Sequence, residues 1–362
     1  MNKSIVKKRI LTGDRPTGRL HLGHYVGSLR NRVRLQDEYE CFFIIADLHT
    51  LTTRPGRTEE LKENIKQLVL DYLSVGIDPK KATIYVQSQI PEAAELAVIF
   101  GNLTTVPRLE RVPTLKDVMR DSHIQIPSFG LLGYPVLQAA DILMVRANLV
   151  PVGRDQASHI EVTREIAREF NKLYGVHIGK STPGVNELHT GSVSGGDGQV
   201  FPIPEALIPE DIGTLPGTDG KAKMSKSVGN VINLSDDSET VKKQVMGMYT
   251  DPKRVHGDEP GNVENNPVFI YLDAFSQSEK SKSKVKELKD RYKNGTVKDV
   301  EVKEFLVQVL EEFLQPLRGR REEYEKQPEL VEKILKEGTE SAREEAKKTL
   351  SLVRAAMKIE YF

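Results

Sequence analysis

This sequence predicts an α/β fold, a doubly wound parallel sheet followed by an all-helical domain. Short apolar runs alternate with amphipathic helical patterns through the first half, as in strand–helix–strand units. From Asp236 onward strand signals are nearly absent and the pattern is helical and heavily charged. The chain, at 362 residues, is long enough for two domains.

Taken in order, residues 9–12 read as a short strand, 23–38 as a helix and 41–47 as a buried strand. A helix begins at Thr58, with Thr-Glu-Glu as cap and first-turn acids. Leu61, Ile65, Leu68, Val69 and Tyr72 recur at helical spacing, and Gly76 and Pro79 close it. Residues 82–87 and 148–152 are further strands, and 92–103, 131–145 and 157–174 further helices. Segment 110–121 reads as a polar loop whose Lys116 either closes over a ligand or is a plain surface lysine. Residues 175–220, rich in Gly, Pro, Ser and Thr, read as a connecting insertion. The first domain then spans 1–235 and the helical one 236–362. Amphipathic segments are expected at 302–314, 330–335 and 339–357, the last with Ala346, Leu350, Val353 and Met357 on one stripe.

Composition excludes several classes. Hydrophobic residues at 38% and charged residues at 29% are ordinary for a soluble globular protein. A formal net charge of zero argues against an overall basic nucleic-acid coat but leaves room for a local basic face. Cys41 is the one cysteine, so an intrachain disulfide is impossible and a reducing, cytoplasmic compartment is expected. Its apolar neighbours make it a buried small hydrophobe. The first residues lack the apolar core of a signal peptide, and no apolar run reaches the length of a membrane span.

Two motifs carry the chemistry. After the first strand, a glycine-rich segment leads into His21-Leu22-Gly23-His24 at the start of a helix. Glycine lets backbone approach a ligand closely, and the helix start offers free N–H groups and a positive dipole end. The two imidazoles add donors for phosphate oxygens. Alone, such a string also fits a glycine-rich turn with surface histidines, or a small nucleotidyltransferase. The second motif, Lys223-Met224-Ser225-Lys226-Ser227, follows the flexible lead-in 217–220 and Lys221. Lysines on a mobile loop can fold over a departing phosphate as point charges. Together the motifs form a clamp for a triphosphate, in an order that points to an enzyme activating a carboxylate with ATP. A third constellation, Tyr134, Gln138 and Asp141, falls at i, i+4 and i+7 of one largely apolar helix. A buried Asp needs a fixed donor, supplied either by a ligand or by the protein.

HLGH and KMSKS resemble the paired signatures of class I aminoacyl-tRNA synthetases. With TGDRPTGRLHLGHYVGSL, ADLHTLT, YPVLQAADIL, VPVGRDQ and AKMSKS, the resemblance narrows to the bacterial tryptophanyl-tRNA synthetases, from about Ile10 to the C-terminus. It weakens over 175–198, which is longer than usual for that family. The resemblance implies a Rossmann-type catalytic domain, an anticodon-binding helical domain whose last helix packs back on it, and a homodimer. It also implies activation of L-tryptophan by ATP, with Mg2+ held through the ATP phosphates, and transfer to tRNA(Trp). Catalytic stabilisation falls on His21, His24, Lys223 and Lys226. ATP contacts fall on Arg15, Pro16, Thr17, Gly23, His24, Gly153, Arg154, Asp155, Ile212, Lys223, Met224, Ser225, Lys226 and Ser227. Many members carry Gln where this chain has Arg15 and Asn where it has His24. Tryptophan contacts fall on Asp141 for the indole, Tyr134 and Gln138 for the ammonium, and Gln156. The related tyrosyl enzymes place a tyrosine on the first strand. Leu11 stands there in this chain, and suits an indole, whose N–H is donor only. His49 is either a pocket residue or a structural hydrogen-bonder. Arg318-Gly319-Arg320-Arg321 reads as a tRNA phosphate contact or a solvated charged face. The rival class is a synthetase-like protein that binds RNA without activating an amino acid.

Overall fold

The computed structural model describes residues 7–152, 157–175, 199–208, 215–220, 223–226, 228–251, 254, 256 and 258–361, and only the backbone of 157–159. The chain opens with β1 (Arg9–Asp14) and α1 (Leu22–His24), which continues through a π-helical turn, Tyr25–Leu29, into α2 (Arg30–Glu38). Next come β2 (Glu40–Ile45), α3 (Asp47–Leu51), α4 (Leu61–Ser74), β3 (Ala82–Val86), α5 (Pro91–Gly101), α6 (Val106–Glu110), α7 (Pro113–Asp121) and α8 (Phe129–Met144). β4 (Leu149–Pro151), α9 (Ala157–Tyr174) and β5 (Glu205–Leu207) complete the α/β part. From Ser238 on, the regular elements among the described residues are helices: α10 (Ser238–Met246), α11 (Pro267–Phe275), α12 (Glu279–Lys293), α13 (Asp299–Glu325) and α14 (Pro328–Met357).

Among the described residues five strands pair in parallel, in the order β3-β2-β1-β4-β5. Pairing runs outward from β1 to one side through β3 and then reverses to β4. The ends of β1 and β4 therefore flank the switch point where ligands bind in open α/β sheets. Alternation along the strands sorts side chains onto two faces. Ile10, Cys41, Phe43, Ile45 and Ile84 join α4, the first helix and α10–α13 in one core. Leu11, Phe42, Ile44 and Tyr85 join α5, α8 and α9 in the other.

α14 connects the two faces. Val331 and Ile334 belong to the first core, and Ala342, Ala346, Leu350, Val353 and Ala356 to the second. The crossing passes over edge strand β3 at Gly338, where a Cβ would stand 2.0 Å from the Ile84 carbonyl oxygen. One residue on, Thr339 Oγ1 accepts the Val86 N–H at 3.3 Å, so the helix serves a donor that an open sheet edge leaves unpaired.

Several expectations need correction. The second strand stops at Ile45, and Asp47 opens a short helix in which its carboxylate accepts the Leu48 and Ser88 N–H groups. The helix expected from Thr58 starts at Leu61 after a turn in which the Leu61 N–H bonds the Thr58 carbonyl. Segment 110–121 is mostly helical: α7 begins with Pro113, whose fixed φ suits a first helical turn. Within 175–220 lies β5, three residues long and too short to give a period. Segments 330–335 and 339–357 are one helix, α14, because Gly338 continues it.

Candidate active site

β1 ends at Asp14, and the chain turns through Gly18, whose φ of +103° lies in the left-handed region that suits glycine. His21 then caps α1. Its backbone N–H donates to His24 Nδ1 at 3.2 Å, which leaves Nε2 of neutral His24 to carry the proton. The two rings lie 3.8 Å apart between centroids. Gly23 between them leaves little space for a side chain: a Cβ would lie 3.0 Å from His21 Nδ1 and 3.2 Å from Met224 Sδ, so both would have to shift by a few tenths of an ångström.

That sulfur belongs to the second motif. Gly23 N–H donates to Met224 Sδ at 3.2 Å, and Lys226 Nζ donates to the Gly18 carbonyl at 3.0 Å and to that of Thr17 at 3.4 Å. The segment beyond the loop is stitched to the same turn. Leu22 N–H bonds Ile232 O at 2.9 Å, and Leu234 N–H bonds Leu20 O at 2.9 Å. On the lead-in side, Asn230 organises the loop, accepting the Ser225 N–H at 2.8 Å and donating to Asp219 at 3.0 Å.

The electrostatics suit an anion. Burial, then the neighbouring His24, Lys226 and Lys223 charges, push His21 down to about 3. Burial pushes His24 down to about 4 against the pull of Asp14. Both rings are therefore neutral donors at physiological pH. Burial also lowers Lys226, with Asp14 and Asp71 opposing. Asp14, held by Arg32 at 2.6 Å and Tyr72 at 2.7 Å, falls to about 2: burial raises it, but Arg32 and His24 outweigh that. Among the described residues no group of three or more His, Cys, Asp or Glu is assembled to hold a metal ion.

The second cluster lies across the sheet. Asp141 of α8 is 2% exposed. Its Oδ2 accepts from Gln87 Nε2 at 2.8 Å and from His49 Nε2 at 3.0 Å, while Oδ1 is buried without a hydrogen-bond partner. Burial raises its pKa and the bonds from His49 and Gln87 oppose that. Gln87 Oε1 accepts the His49 backbone N–H at 3.3 Å, so the amide is locked at both ends. Tyr134 bonds Thr114 of α7 at 2.7 Å, and Gln138 is half-buried on the same helix. Leu11 is buried in this core beside Tyr85 and Phe42.

The structure thus brings Thr17, His21, Gly23, His24, Met224 and Lys226 together, and gathers Asp141 and His49 separately. Arg15 is exposed and reaches Thr53 Oγ1 at 3.4 Å, and Pro16 beside it is buried. Lys223 pairs with Pro216 in an isolated bridge. Lys116 is exposed on α7. Gly153, Arg154, Asp155, Gln156, Ile212 and Ser227 lie outside the described residues. The tRNA reading of the 318–321 arginines is overturned. Arg318 bonds Glu311 and Asp236 O, Arg320 bonds Ser74 O, and Arg321 is buried against Asp71. Sequence reasoning missed Gln87, Asp14 and Asp71. Of these only Asp14 carried a signal, as a carboxylate ending the first strand before the glycine turn.

A parallel sheet with a nucleotide-type switch point, and a histidine turn clamped by a lysine loop, define an ATP-using α/β enzyme. The chain belongs to the tRNA synthetases class I (W and Y), whose family model matches residues 4–315. It is 54% identical over 351 residues to the tryptophan–tRNA ligase of Treponema pallidum (strain Nichols), covering 96% of each chain. To the tryptophan–tRNA ligase of Borreliella burgdorferi it is 48% identical over 351 residues, covering 96% of this chain and 93% of that one. Among solved structures, tryptophanyl-tRNA synthetase from Campylobacter jejuni complexed with ADP and tryptophan matches with a TM-score of 0.80 at 32% identity. That match covers 97% of this chain and 99% of the other.

Proposed function

We infer that this chain activates L-tryptophan with ATP to tryptophanyl-adenylate and transfers the tryptophanyl group to tRNA(Trp), releasing pyrophosphate and then AMP. One observation carries the reading: Met224 and Lys226 seat on Gly23 and Gly18, so two motifs far apart in sequence meet at a single site.

The tryptophan carboxylate attacks the α-phosphorus in line and pyrophosphate leaves, with no enzyme nucleophile. His24 Nε2–H, His21 and the lysines stabilise the charge that builds on the phosphates. Lys226 exchanges the Thr17 and Gly18 carbonyls for phosphate oxygens. ATP enters as its magnesium complex. Asp141 Oδ1, oriented by Gln87 and His49, accepts the indole N–H, while Leu11 packs against the ring. Tyr134 and Gln138 lie along the same helix face toward the ammonium. For tRNA, the helical segment 236–362 is the anticodon-binding part, and exposed Lys280, Lys286 and Lys293 on α12 suit phosphate contact.

Association as a homodimer is supported by large apolar side chains left exposed along α5–α8: Val98 and Val106, with Ile126 at 85% and Phe129 at 91%. Among the described residues no helix is long and apolar enough to cross a membrane. A single buried cysteine suits the reducing cytoplasm. The activity is tested by ATP–pyrophosphate exchange with each of the twenty amino acids. Exchange with tryptophan alone is expected; exchange with none, or preferentially with tyrosine, overturns the reading.

A further inference from the structure

The backbone of Leu20, immediately before the capping His21, is held from two directions. Its carbonyl accepts from Leu234, just beyond the lysine loop, at 2.9 Å. Its N–H donates to Asp71 Oδ2 on α4 at 2.7 Å. Asp71 is fully buried, and its other oxygen accepts from Arg321 of α13. Arg321, 6% exposed, is fixed in turn by Gln67 of α4 and by Glu325 at 2.8 Å. Next to it Arg320 donates to the Ser74 carbonyl at 2.7 Å, so α13 grips α4 at two consecutive residues.

A buried carboxylate is costly unless both oxygens are served. Here one is served by the peptide that starts the histidine turn and the other by a cation from the helical part. Neither partner can move without exposing the other's need. Asp71 also faces Lys226, whose charge it feels across the turn.

We propose that Arg321, Asp71 and the Leu20 peptide form a positioning relay, through which helix α13 sets the His21–His24 turn and the seat of Lys226 for adenylate formation. Asp71 and Arg321 act through the turn and do not touch substrate. The proposal rests on the ATP-dependent reading above. It predicts that disturbing the relay changes the chemical step and ATP use but not tryptophan recognition, because Asp141 lies in the core on the opposite face of the sheet.

The test is steady-state tryptophan-dependent ATP–pyrophosphate exchange with the full chain, its Asp71→Asn variant and its Gln67→Met variant. Asparagine keeps the shape but turns an NH2 toward either the Leu20 N–H or the guanidinium. The expected result for Asp71→Asn is a kcat about tenfold lower or more, with the tryptophan KM within about twofold of the parent. A kcat within about twofold of the parent, or kcat and tryptophan KM worsening by the same factor, overturns the relay. Should Asp71→Asn show no cooperative thermal transition, Gln67→Met decides by the same split, with about a threefold loss of kcat expected. A parent protein that shows no tryptophan-dependent exchange sinks the activity reading instead, so the two failures are distinct.

Discussion

Replacing Asp141 by asparagine probes the amino-acid pocket with almost no change of shape. In the parent, Oδ2 is occupied by Gln87 at 2.8 Å and His49 at 3.0 Å, and Oδ1 awaits a donor. Asparagine offers one acceptor and one NH2. With its oxygen toward Gln87 and His49, the NH2 meets the indole N–H, donor against donor. Flipped, the NH2 meets Gln87 Nε2. If the Gln87 amide turns to follow, its own NH2 meets the His49 backbone N–H that its oxygen now accepts at 3.3 Å. Every orientation leaves a donor facing a donor. A lost charge-assisted bond costs about 1.5–3 kcal/mol and a stranded buried donor about 1–3 kcal/mol. The sum, roughly 2.5–6 kcal/mol, lowers kcat/KM for tryptophan by ~10²- to 10⁴-fold. The assay is tryptophan-dependent pyrophosphate exchange, with ATP affinity measured separately by calorimetry and expected to stay unchanged. A loss below about fivefold would show that Asp141 does not receive the indole.

Lys226→Ala should slow adenylate formation in rapid-quench experiments by roughly 10²- to 10³-fold, as loss of a transition-state donor does, with tryptophan affinity intact; a parental rate removes the loop from the mechanism. The histidine pair predicts a pH effect on stability without nucleotide. Both rings are depressed in the folded state, to about 3 and about 4, so below about 6.5 the unfolded chain binds protons that the folded one refuses. Stability is therefore full above pH ~6.5 and falls as pH drops toward 4, by up to about 1.4 kcal/mol per pH unit for each ring. Urea denaturation of His24→Asn across that window should show a shallower slope by one proton, and an unchanged slope contradicts the assignment. Gly338→Ala should destabilise by about 1–3 kcal/mol in the same assay, since the clash with the Ile84 carbonyl outweighs the gain of about 1 kcal/mol in helix propensity. A more stable variant would refute the close crossing.

What was legible in the sequence followed the range of the interactions involved. Strands β1 to β3 announce themselves as short apolar runs, β4 as the pair Leu149-Val150 before a proline, and the principal helices of the α/β part by apolar positions that repeat near 3.6 residues. β5, three residues between prolines, has no room for a period, and only its pairing with β4 makes it a strand. α7 reads as a polar loop because its inward contacts are few, Leu115 among them, and its other residues meet solvent. The motifs were legible as strings, but the way they meet was not. Met224 looks like a spacer between lysines until its sulfur is found on the Gly23 N–H. Gln87 has no local signature because its role is defined by two partners distant in sequence. The 318–321 arginines misled for the converse reason: a basic run looks like a phosphate contact wherever its carboxylate and carbonyl partners are supplied by tertiary structure.

Under the proposed function, the sheet separates two tasks that share one reaction. On one face, the first helix, α4 and α13 fix the turn that carries the imidazoles and receives Lys226. On the other, α8 holds Asp141 where Gln87 and His49 orient it. In the proposed reaction the two groups meet at the carboxyl ends of β1 and β4, the switch point where a carboxylate and an α-phosphorus would come together. Substitutions on the first face should therefore change the chemical step without altering which amino acid enters. Those on the second should change the choice of amino acid without altering how tightly ATP binds. This division makes kcat and the tryptophan KM separable measurements in this chain. It also gives the helices a mechanical reason to grip α4 so firmly, because any play at Asp71 reaches the His21–His24 turn through the single Leu20 peptide.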